Sequence, residues 1–397
     1  MPTRRPDILV AQTTGVIQFS GAGTHYIIQT GMKVLYMIYV DTGSDVAFKK
    51  SLDGGLTWTV PTVIYAGTVT NLSVWYDKWS GLSSNYIHVA YTESVNDDTL
   101  YRAIDVDSAD ALSTQTVIFA GASTAAGGCL SIVRARGGNV YCATMIDAGT
   151  EGGFFRLPNA NVPSGAWDAA RTTVFEAASG DMVILAPGFA ADNQDIIAIF
   201  WDASADEISR KIYDDSANTW AETSIATSMV DQAAATAFPH FNITINLTDS
   251  KIILVAWSAV DTANADLRCW TIDESSISEK TNVVLNSTDD QGLCAICLDL
   301  QTNYWWVFYA GKSDGSETYT SALKIYCKVS KDSGTTWGPE TLCSLSTSSN
   351  RNIGWLSTVP RLSFGIPPVA FHDNQTLDEI KINVDCSLQR ATLQIGI

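Results

Sequence analysis

The sequence predicts an all-β protein folded as one seven-bladed β-propeller. Three observations carry that expectation. Short apolar strands recur at a near-constant spacing, no stretch shows long helical apolar periodicity, and Thr, Val, Ile, Tyr and Trp cluster as strand formers do. Of the 397 residues, 46% are hydrophobic and 17% charged, which places the chain among globular proteins and away from disordered or fibrous ones.

The recurring strand ends in an aromatic or apolar residue, often followed by an acid. Its seven copies are Leu35–Asp41, Ile87–Glu93, Val140–Asp147, Ile196–Asp202, Ile252–Ser258, Trp305–Gly311 and Pro368–Asp373, with successive ends 52 to 62 residues apart. Another apolar strand precedes each after a short turn, as Cys129-Leu-Ser-Ile-Val precedes Arg136-Gly-Gly and Asn242-Ile-Thr-Ile-Asn precedes Thr248-Asp-Ser. A third strand follows, for example Asp45–Lys50, Thr99–Ile104, Glu207–Ile212, Leu267–Ile272 and Leu323–Lys328. A fourth closes the unit at Val60–Gly67, Thr116–Gly121, Thr173–Ala177 and Asn282–Asn286. Four antiparallel strands per period describe one propeller blade. A lone four-stranded sheet cannot bury both faces, so blades must stack around an axis. Residues 1–397 therefore read as a single domain with a short tail at 1–6. Asp7–Ala11 and Ala391–Gly396 both resemble fourth strands, which puts both chain ends beside the last blade.

Between third and fourth strands stands the sharpest motif. Ser51-Leu-Asp53-Gly-Gly55-Leu-Thr57-Trp58 and Ser330-Lys-Asp332-Ser-Gly334-Thr-Thr336-Trp337 both fit S-x-D-x-G-x-T-W. Tyr213-Asp-Asp-Ser-Ala-Asn-Thr219-Trp220 is a degenerate third copy, and Ser164–Trp167 and Asp107–Asp110 sit where worn copies belong. The Asp can accept amides of its own turn, Gly supplies positive φ, and Trp anchors the hairpin on the blade. The expected role of these residues is structural.

These octapeptides resemble the Asp-box of the sialidase, or BNR, repeat propellers. The resemblance covers nearly the whole chain as architecture and two octapeptides as close sequence. It implies a sialidase-like propeller. Catalytic members clamp the substrate carboxylate with three arginines and add a Tyr–Glu nucleophile pair and an Asp acid/base. Their first arginine lies in an Arg-Ile-Pro motif on the innermost strand of the first blade. Here that strand reads Thr24-His-Tyr-Ile-Ile-Gln, and Arg4-Arg5-Pro6 stands about twenty positions too early, in the tail. Twelve arginines exist; Arg361 is the best inward-facing inner-strand candidate and Arg134 the second. A carboxylate clamp needs guanidinium forks converging on one point. No catalytic set is assigned.

Composition narrows the partners. With 24 Lys plus Arg against 42 Asp plus Glu, the net charge of −18 disfavours nucleic acid and anionic membranes. Ile8–Ala11 is too short for a signal-peptide core, and no run reaches the ~20 apolar residues that span a bilayer. The chain is expected to be made in a cytoplasm and to reach a virion surface by lysis. Its eight cysteines read as buried, reduced thiols; Cys129–Cys142 and Cys327–Cys343 could meet across hairpins. His25, His88, His240 and His372 lack zinc-site spacing, and no phosphate loop or G-x-S-x-G elbow occurs, so neither metal nor cofactor is expected. Any two blades could still supply a carboxylate pair for glycosidase chemistry, on which sequence spacing is silent.

One constellation suggests a site. Equivalent strands end on the same face, so Asp41, Glu93, Asp147, Asp202 and Asp373 should ring one mouth of the propeller. They read either as caps of polar loops or as a cation or sugar-binding rim, with Tyr39, Tyr91, Trp201 and Phe371 as stacking surfaces. Three function classes follow. The favoured one is a non-catalytic structural or adhesive propeller, such as a bacteriophage head-surface or tail protein, that binds glycans or neighbouring subunits. The rivals are a sialidase-like glycoside hydrolase and an intracellular scaffold.

Overall fold

The second-strand runs are continuous in hydrophobicity because they are buried on both faces. All six residues of Leu35–Val40 are buried, as are Ile196–Trp201 within the strand Ile196–Asp202. Such a run cannot sit at a surface, so each sheet needs a neighbour on either side. The computed structural model describes residues 7–13, 25–121, 130–146, 151–169, 171, 175–176, 181–202, 204–227, 229, 241–261, 264–285, 293–311, 324–344, 353–363, 365–373 and 378–384.

Seven antiparallel sheets form a seven-bladed β-propeller. Blade 1 holds Ile27–Gln29, Leu35–Val40, Val46–Ser51 and Thr62–Tyr65. Blade 2 holds Val69–Tyr76, Tyr86–Glu93 and Thr99–Asp105, with an outer strand in two pieces, Ala111–Leu112 and Thr116–Phe119. Blade 3 comprises Ser131–Arg134, Val140–Met145, Glu151–Leu157 and Phe175–Glu176; blade 4 comprises Met182–Pro187, Ile196–Asp202, Glu207–Asp214 and Thr219–Thr227. Blade 5 holds Phe241–Asn246, Lys251–Asp261 and Asn264–Ile272, its outer strand again divided into Ile277–Glu279 and Val284–Leu285. Blade 6 holds Cys294–Asp299, Tyr304–Ala310, Ile325–Ser330 and Thr341–Leu342. The uniform four strands expected from sequence are thus corrected to four or five. Divided outer strands account for blades 2 and 5. In blade 6 the fifth strand is borrowed: Arg361–Leu362 pairs parallel with Leu298–Asp299.

Blade 7 closes the ring. Ile353–Thr358, Val369–Asp373 and Glu379–Asn383 come from the end of the chain, and Ile8–Gln12 adds as the outermost strand, antiparallel to Glu379–Asn383. Asn383 Nδ2 also donates to Asp7 Oδ1 at 2.8 Å. The other expected end strand, Ala391–Gly396, lies outside the described residues.

Polar side chains stitch one blade to the next. An innermost strand has one edge with no strand partner, and its N–H groups must be satisfied. Ser73 Oγ accepts Ile132 N–H (3.0 Å), Ser131 Oγ accepts Leu185 N–H (2.9 Å), Asn242 Oδ1 accepts Ile296 N–H (3.2 Å) and Ser357 Oγ accepts Tyr26 N–H (3.0 Å). Each bond runs from an inner strand to the side chain of the preceding blade. Cations on third strands do the same farther out. Lys49 reaches Val10 O, Arg102 reaches Ile64 O and Lys328 reaches Val283 O, at 2.7, 2.6 and 2.9 Å.

The axis is plugged. His25, buried, places Nδ1 3.1 Å from Thr358 O of blade 7 and Nε2 3.0 Å from Ile243 O of blade 5. Burial pushes the imidazole down to about 4, against both hydrogen bonds, so at neutral pH it is uncharged and donates to one carbonyl only. Trp79 packs edge-on against His25 with ring centroids 5.5 Å apart. The six described cysteines are buried, and burial alone raises the Cys142 thiol. Cys129 lies outside the described residues. No described helix is long and apolar enough to cross a membrane.

Deleting residues 1–13 should expose the edge of Glu379–Asn383 and remove the buried side chains of Val10 and Ala11. The expected cost is about 3–5 kcal/mol, read from urea unfolding. An unchanged midpoint would show that this strand does not close the ring.

Candidate functional site

Because successive strands are antiparallel, the turns of a blade divide between two faces. First-to-second and third-to-fourth turns, including both octapeptides, emerge on one face. Second-to-third turns emerge on the other, and Asp41, Glu93, Asp202 and Asp373 stand there.

On that acid face the carboxylates are tied to their own loops. Asp41 Oδ1 accepts the amides of Gly43 (2.7 Å) and Asp45 (3.1 Å). Glu93 accepts those of Val95 (2.8 Å) and Asn96 (2.7 Å). Burial raises the Glu93 carboxyl, but these amides outweigh it and hold the group below its ordinary range. Asp202 Oδ1 takes Ser204 N–H, Ser204 Oγ and Ala205 N–H, all within 2.9 Å, and leaves Oδ2 as an acceptor. Asp373 is buried and ion-paired to Lys381 at 2.8 Å. Asp147 lies outside the described residues. A second acid in the same loops fastens the outer strand: Asp45 accepts Gly67 N–H and Asp98 accepts Gly121 N–H. Tyr39, Tyr91, Trp201 and Phe371 do not line this face. All four are buried, which corrects the expectation that they stack on a ligand. They alternate with residues facing the other neighbour, and both sides of these strands are core.

The octapeptide turns are wired alike. Ser51 Oγ donates to Asp53 Oδ1 (2.8 Å) and accepts Gly55 N–H (2.8 Å), while Asp53 accepts Leu56 N–H, Thr57 N–H and Thr57 Oγ1 within 2.9 Å. Ser330, Asp332, Gly334 and Thr336 repeat this with 2.9, 2.8, 2.8 and 2.6 Å contacts. Slight burial opposes ionisation of Asp53, and the four hydrogen bonds overcome it, holding the carboxyl at about 2. The glycines sit at positive φ, +95° at Gly55 and +82° at Gly334. A Cβ there would stand 2.8 Å from Val384 of blade 7 or 2.7 Å from Trp305, so the glycine also permits close packing. Trp58 and Trp337 are half-buried. Trp337 Nε1 donates to Thr281 O of blade 5 at 2.8 Å.

The worn copies keep parts of the device. Asp214 accepts Ser216 Oγ and Ala217 N–H, with Asn218 at φ +55° in the glycine role. Trp167 donates to Thr116 Oγ1 of blade 2 and meets Tyr101 edge-on. In blade 5, Asp273 accepts the amides and hydroxyls of Ser275 and Ser276. Sequence reasoning passed over that turn because it lacks Gly and Trp; an acid followed at two and three residues by serines was the available signal.

Neither candidate arginine offers an open fork to a substrate. Arg134 is sunk on Asp77, with Nη1 2.9 Å from both carboxylate oxygens. Asp77 also receives His88 Nε2 at 2.8 Å, and His88 Nδ1 faces Tyr101 Oη at 2.7 Å. Burial opposes the charge on Asp77, but His88 and Arg134 hold the carboxyl far below its usual range. His88 is itself held down by burial, so Nε2–H donates to Asp77 and Nδ1 accepts from Tyr101. Arg361 lies beyond its inner strand and donates Nη1 to Lys78 O (3.0 Å) and Trp79 O (3.1 Å) of blade 2. Among the described residues no group of three or more His, Cys, Asp or Glu could hold a metal ion.

No protein-family model matches the chain, and no curated protein matches it. Among solved structures it is similar to an ulvan lyase of a new polysaccharide lyase family, bound to -[GlcA(1-4)Rha3S]-, at 10% identity and TM-score 0.55, covering 98% of this chain and 99% of that one. It is also similar to a Hadza microbial sialidase at 11% identity and TM-score 0.50, covering 98% and 69%. At these identities the likeness shows the fold, a sialidase-like β-propeller.

Two stability outcomes follow. Gly334→Ala should cost about 1–3 kcal/mol from strain at positive φ and contact with Trp305; a neutral effect in chemical unfolding would mean that the turn can relax. Asp53 is depressed in the folded state, so its stabilisation is complete above the unfolded value near ~4 and vanishes as pH falls through about 2. Its exposure limits the gain to about 1 kcal/mol. The stability gap between wild type and Asp53→Ala should therefore narrow from pH 5 to pH 2.5, and a constant gap would contradict this account.

Proposed function

We propose that this chain is a non-catalytic structural or adhesive propeller, carried on a virion, that binds glycans or neighbouring subunits. The observation that carries the non-catalytic part is the use of Arg134 and Arg361. One neutralises a buried aspartate and the other clamps two backbone carbonyls, so their forks do not converge on a common point. The acid face supports a preference for neutral sugars, since carboxylates repel an anionic one by about 1 kcal/mol per exposed pair at contact in water. Its loops present acceptors such as Asp202 Oδ2 to a sugar hydroxyl. Placement on a virion rests on the sequence alone, on the eroded octapeptide copies, the low charge content and the acidic balance of 42 acids to 24 bases.

The test pairs a glycan array with release of a fluorogenic group from a sialoside and from neutral glycosides. Binding without turnover is the expected result, and Asp202→Ala should weaken it several-fold while leaving the fold intact. Sialoside turnover that Arg361→Ala abolishes would replace this reading with a hydrolase. Turnover on a neutral glycoside, lost on changing two acids of the rim, would make the rim catalytic.

A further inference from the structure

Blade 1 presents an apolar surface that neither the fold nor the proposed function uses. Of the ten large hydrophobic side chains exposed among the described residues, five belong to it: Met32, Leu52, Leu56, Val60 and Val63. Val60 is 82% exposed, Met32 68% and Leu52 66%. They follow one course. Met32 and Gly54 line a cleft of about 300 Å³ between blades 1 and 7, together with Leu35, Ile366 and Val384. Gly54 N–H donates to Lys33 O at 2.8 Å, which joins the first turn of the blade to the octapeptide. Leu52 and Leu56 stand on that octapeptide, and Val60 and Val63 on the chain that leaves it to form the outer strand.

The octapeptide does not require these residues. Its twin in blade 6 makes the same Ser, Asp, Gly and Thr hydrogen bonds, yet Lys331 and Thr335 occupy the positions of Leu52 and Leu56. The outer strand of blade 4, Thr219–Thr227, exposes Thr219, Glu222, Thr223 and Ser224. Blade 1 is thus apolar where equivalent surfaces are polar. It is also uncharged: no residue from 54 to 76 is Asp, Glu, Lys or Arg, in a chain of net charge −18. Bordering charges are engaged, Asp53 by its own turn and Lys50 by Asp110 at 2.9 Å.

We propose that this surface docks a second copy of the chain about a two-fold axis. Area and charge select that occupant. The five side chains leave roughly 500 Å² of apolar surface in water, near the upper end of what a monomer exposes. A two-fold contact buries it twice, about 1,000 Å², the lower bound for a specific interface. Two copies of charge −18 repel wherever their acids meet, and an uncharged patch set against itself is where they approach with least repulsion. A cationic partner would find no acid in this run to pair with. The two-fold also closes the assembly at two copies, so the patch is not an open-ended aggregation edge. The proposal goes beyond the reading above and stands whatever the acid rim, on the opposite face, binds.

Sedimentation velocity of the intact chain from about 1 to about 200 µM tests it. The expected result is a monomer–dimer equilibrium in the micromolar range, as so small an interface gives. It should tighten with added sodium chloride, because salt screens the repulsion between copies. Leu52→Lys with Leu56→Thr gives blade 1 the residues that blade 6 carries, so the fold is preserved and the dimer should weaken about tenfold or more. Val60→Asp, at an exposed position, should do the same. Val95→Asp, also exposed but on the acid face, should leave the dimer unchanged. Thermal unfolding reports the fold of each variant, and if one blade 1 variant loses it, the other decides. A monomer at every concentration, which would leave the patch to a different partner, would overturn the interface. So would a dimer indifferent to the blade 1 variants, one that Val95→Asp dissociates, or one that salt weakens, the mark of ion pairs.

Discussion

A blade with two apolar faces has no stable existence by itself, and that constraint organises the rest of this structure. Burial alone would let neighbouring sheets slide, because apolar contact is not directional. Register is set by polar groups that reach across the seam. The inner strands use Ser73, Ser131, Asn242 and Ser357 to satisfy amides of the next blade. Third strands send Lys49, Arg102 and Lys328 back to carbonyls of the preceding one. Each bond is modest at ~0.5–1.5 kcal/mol, yet a donor left buried and unpaired costs more than the bond contributes, so the penalty for a slipped blade is steep.

The same logic turns apparent functional groups into structural ones between blades 2 and 3 and at the axis. Asp77, His88, Tyr101 and Arg134 form a chain of charge and hydrogen bonds that could pass for catalytic machinery. The Asp77 and His88 side chains have no exposure and that of Arg134 has 7%, so a substrate cannot reach the chain. It works as a mutual neutralisation between blades 2 and 3, where loss of one partner would strand a buried charge. His25 and Trp79 fill the centre in the same way.

Sequence showed what is local. The strand period follows from runs buried on both faces, and the octapeptide turns follow from hydrogen bonds spanning four residues, so both are written in short windows. Closure was legible only in part: Asp7–Ala11 and Ala391–Gly396 both read as fourth strands, and pairing of Ile8–Gln12 with Glu379–Asn383 is a contact between chain ends that no short window shows. What sequence could not show is long-range. That Arg361 would reach Lys78, or that Asp77 would meet Arg134, depends on how blades face each other, 283 and 57 residues apart. Asp41, Glu93, Asp202 and Asp373 stand at the ends of second strands, where the repeat puts them. Their neighbours Tyr39, Tyr91, Trp201 and Phe371 were misjudged as surface because an aromatic beside a loop looks the same whether the next blade covers it or not.

The two faces differ in what their turns are fastened to, and this bears on where recognition can reside. On the octapeptide face the fastenings run between blades: Gly55 lies against Val384, Trp337 donates to Thr281, Trp167 donates to Thr116, and Asp110 pairs with Lys50. Asp215 likewise pairs with Arg156. A change in such a turn loosens the stack. On the acid face they stay within one blade: Asp41 and Asp45 hold loops of blade 1, Glu93 and Asp98 those of blade 2, Asp373 pairs with Lys381 of blade 7. Loops fastened only to their own blade can change sequence without unstacking the ring, which frees that face to acquire a ligand.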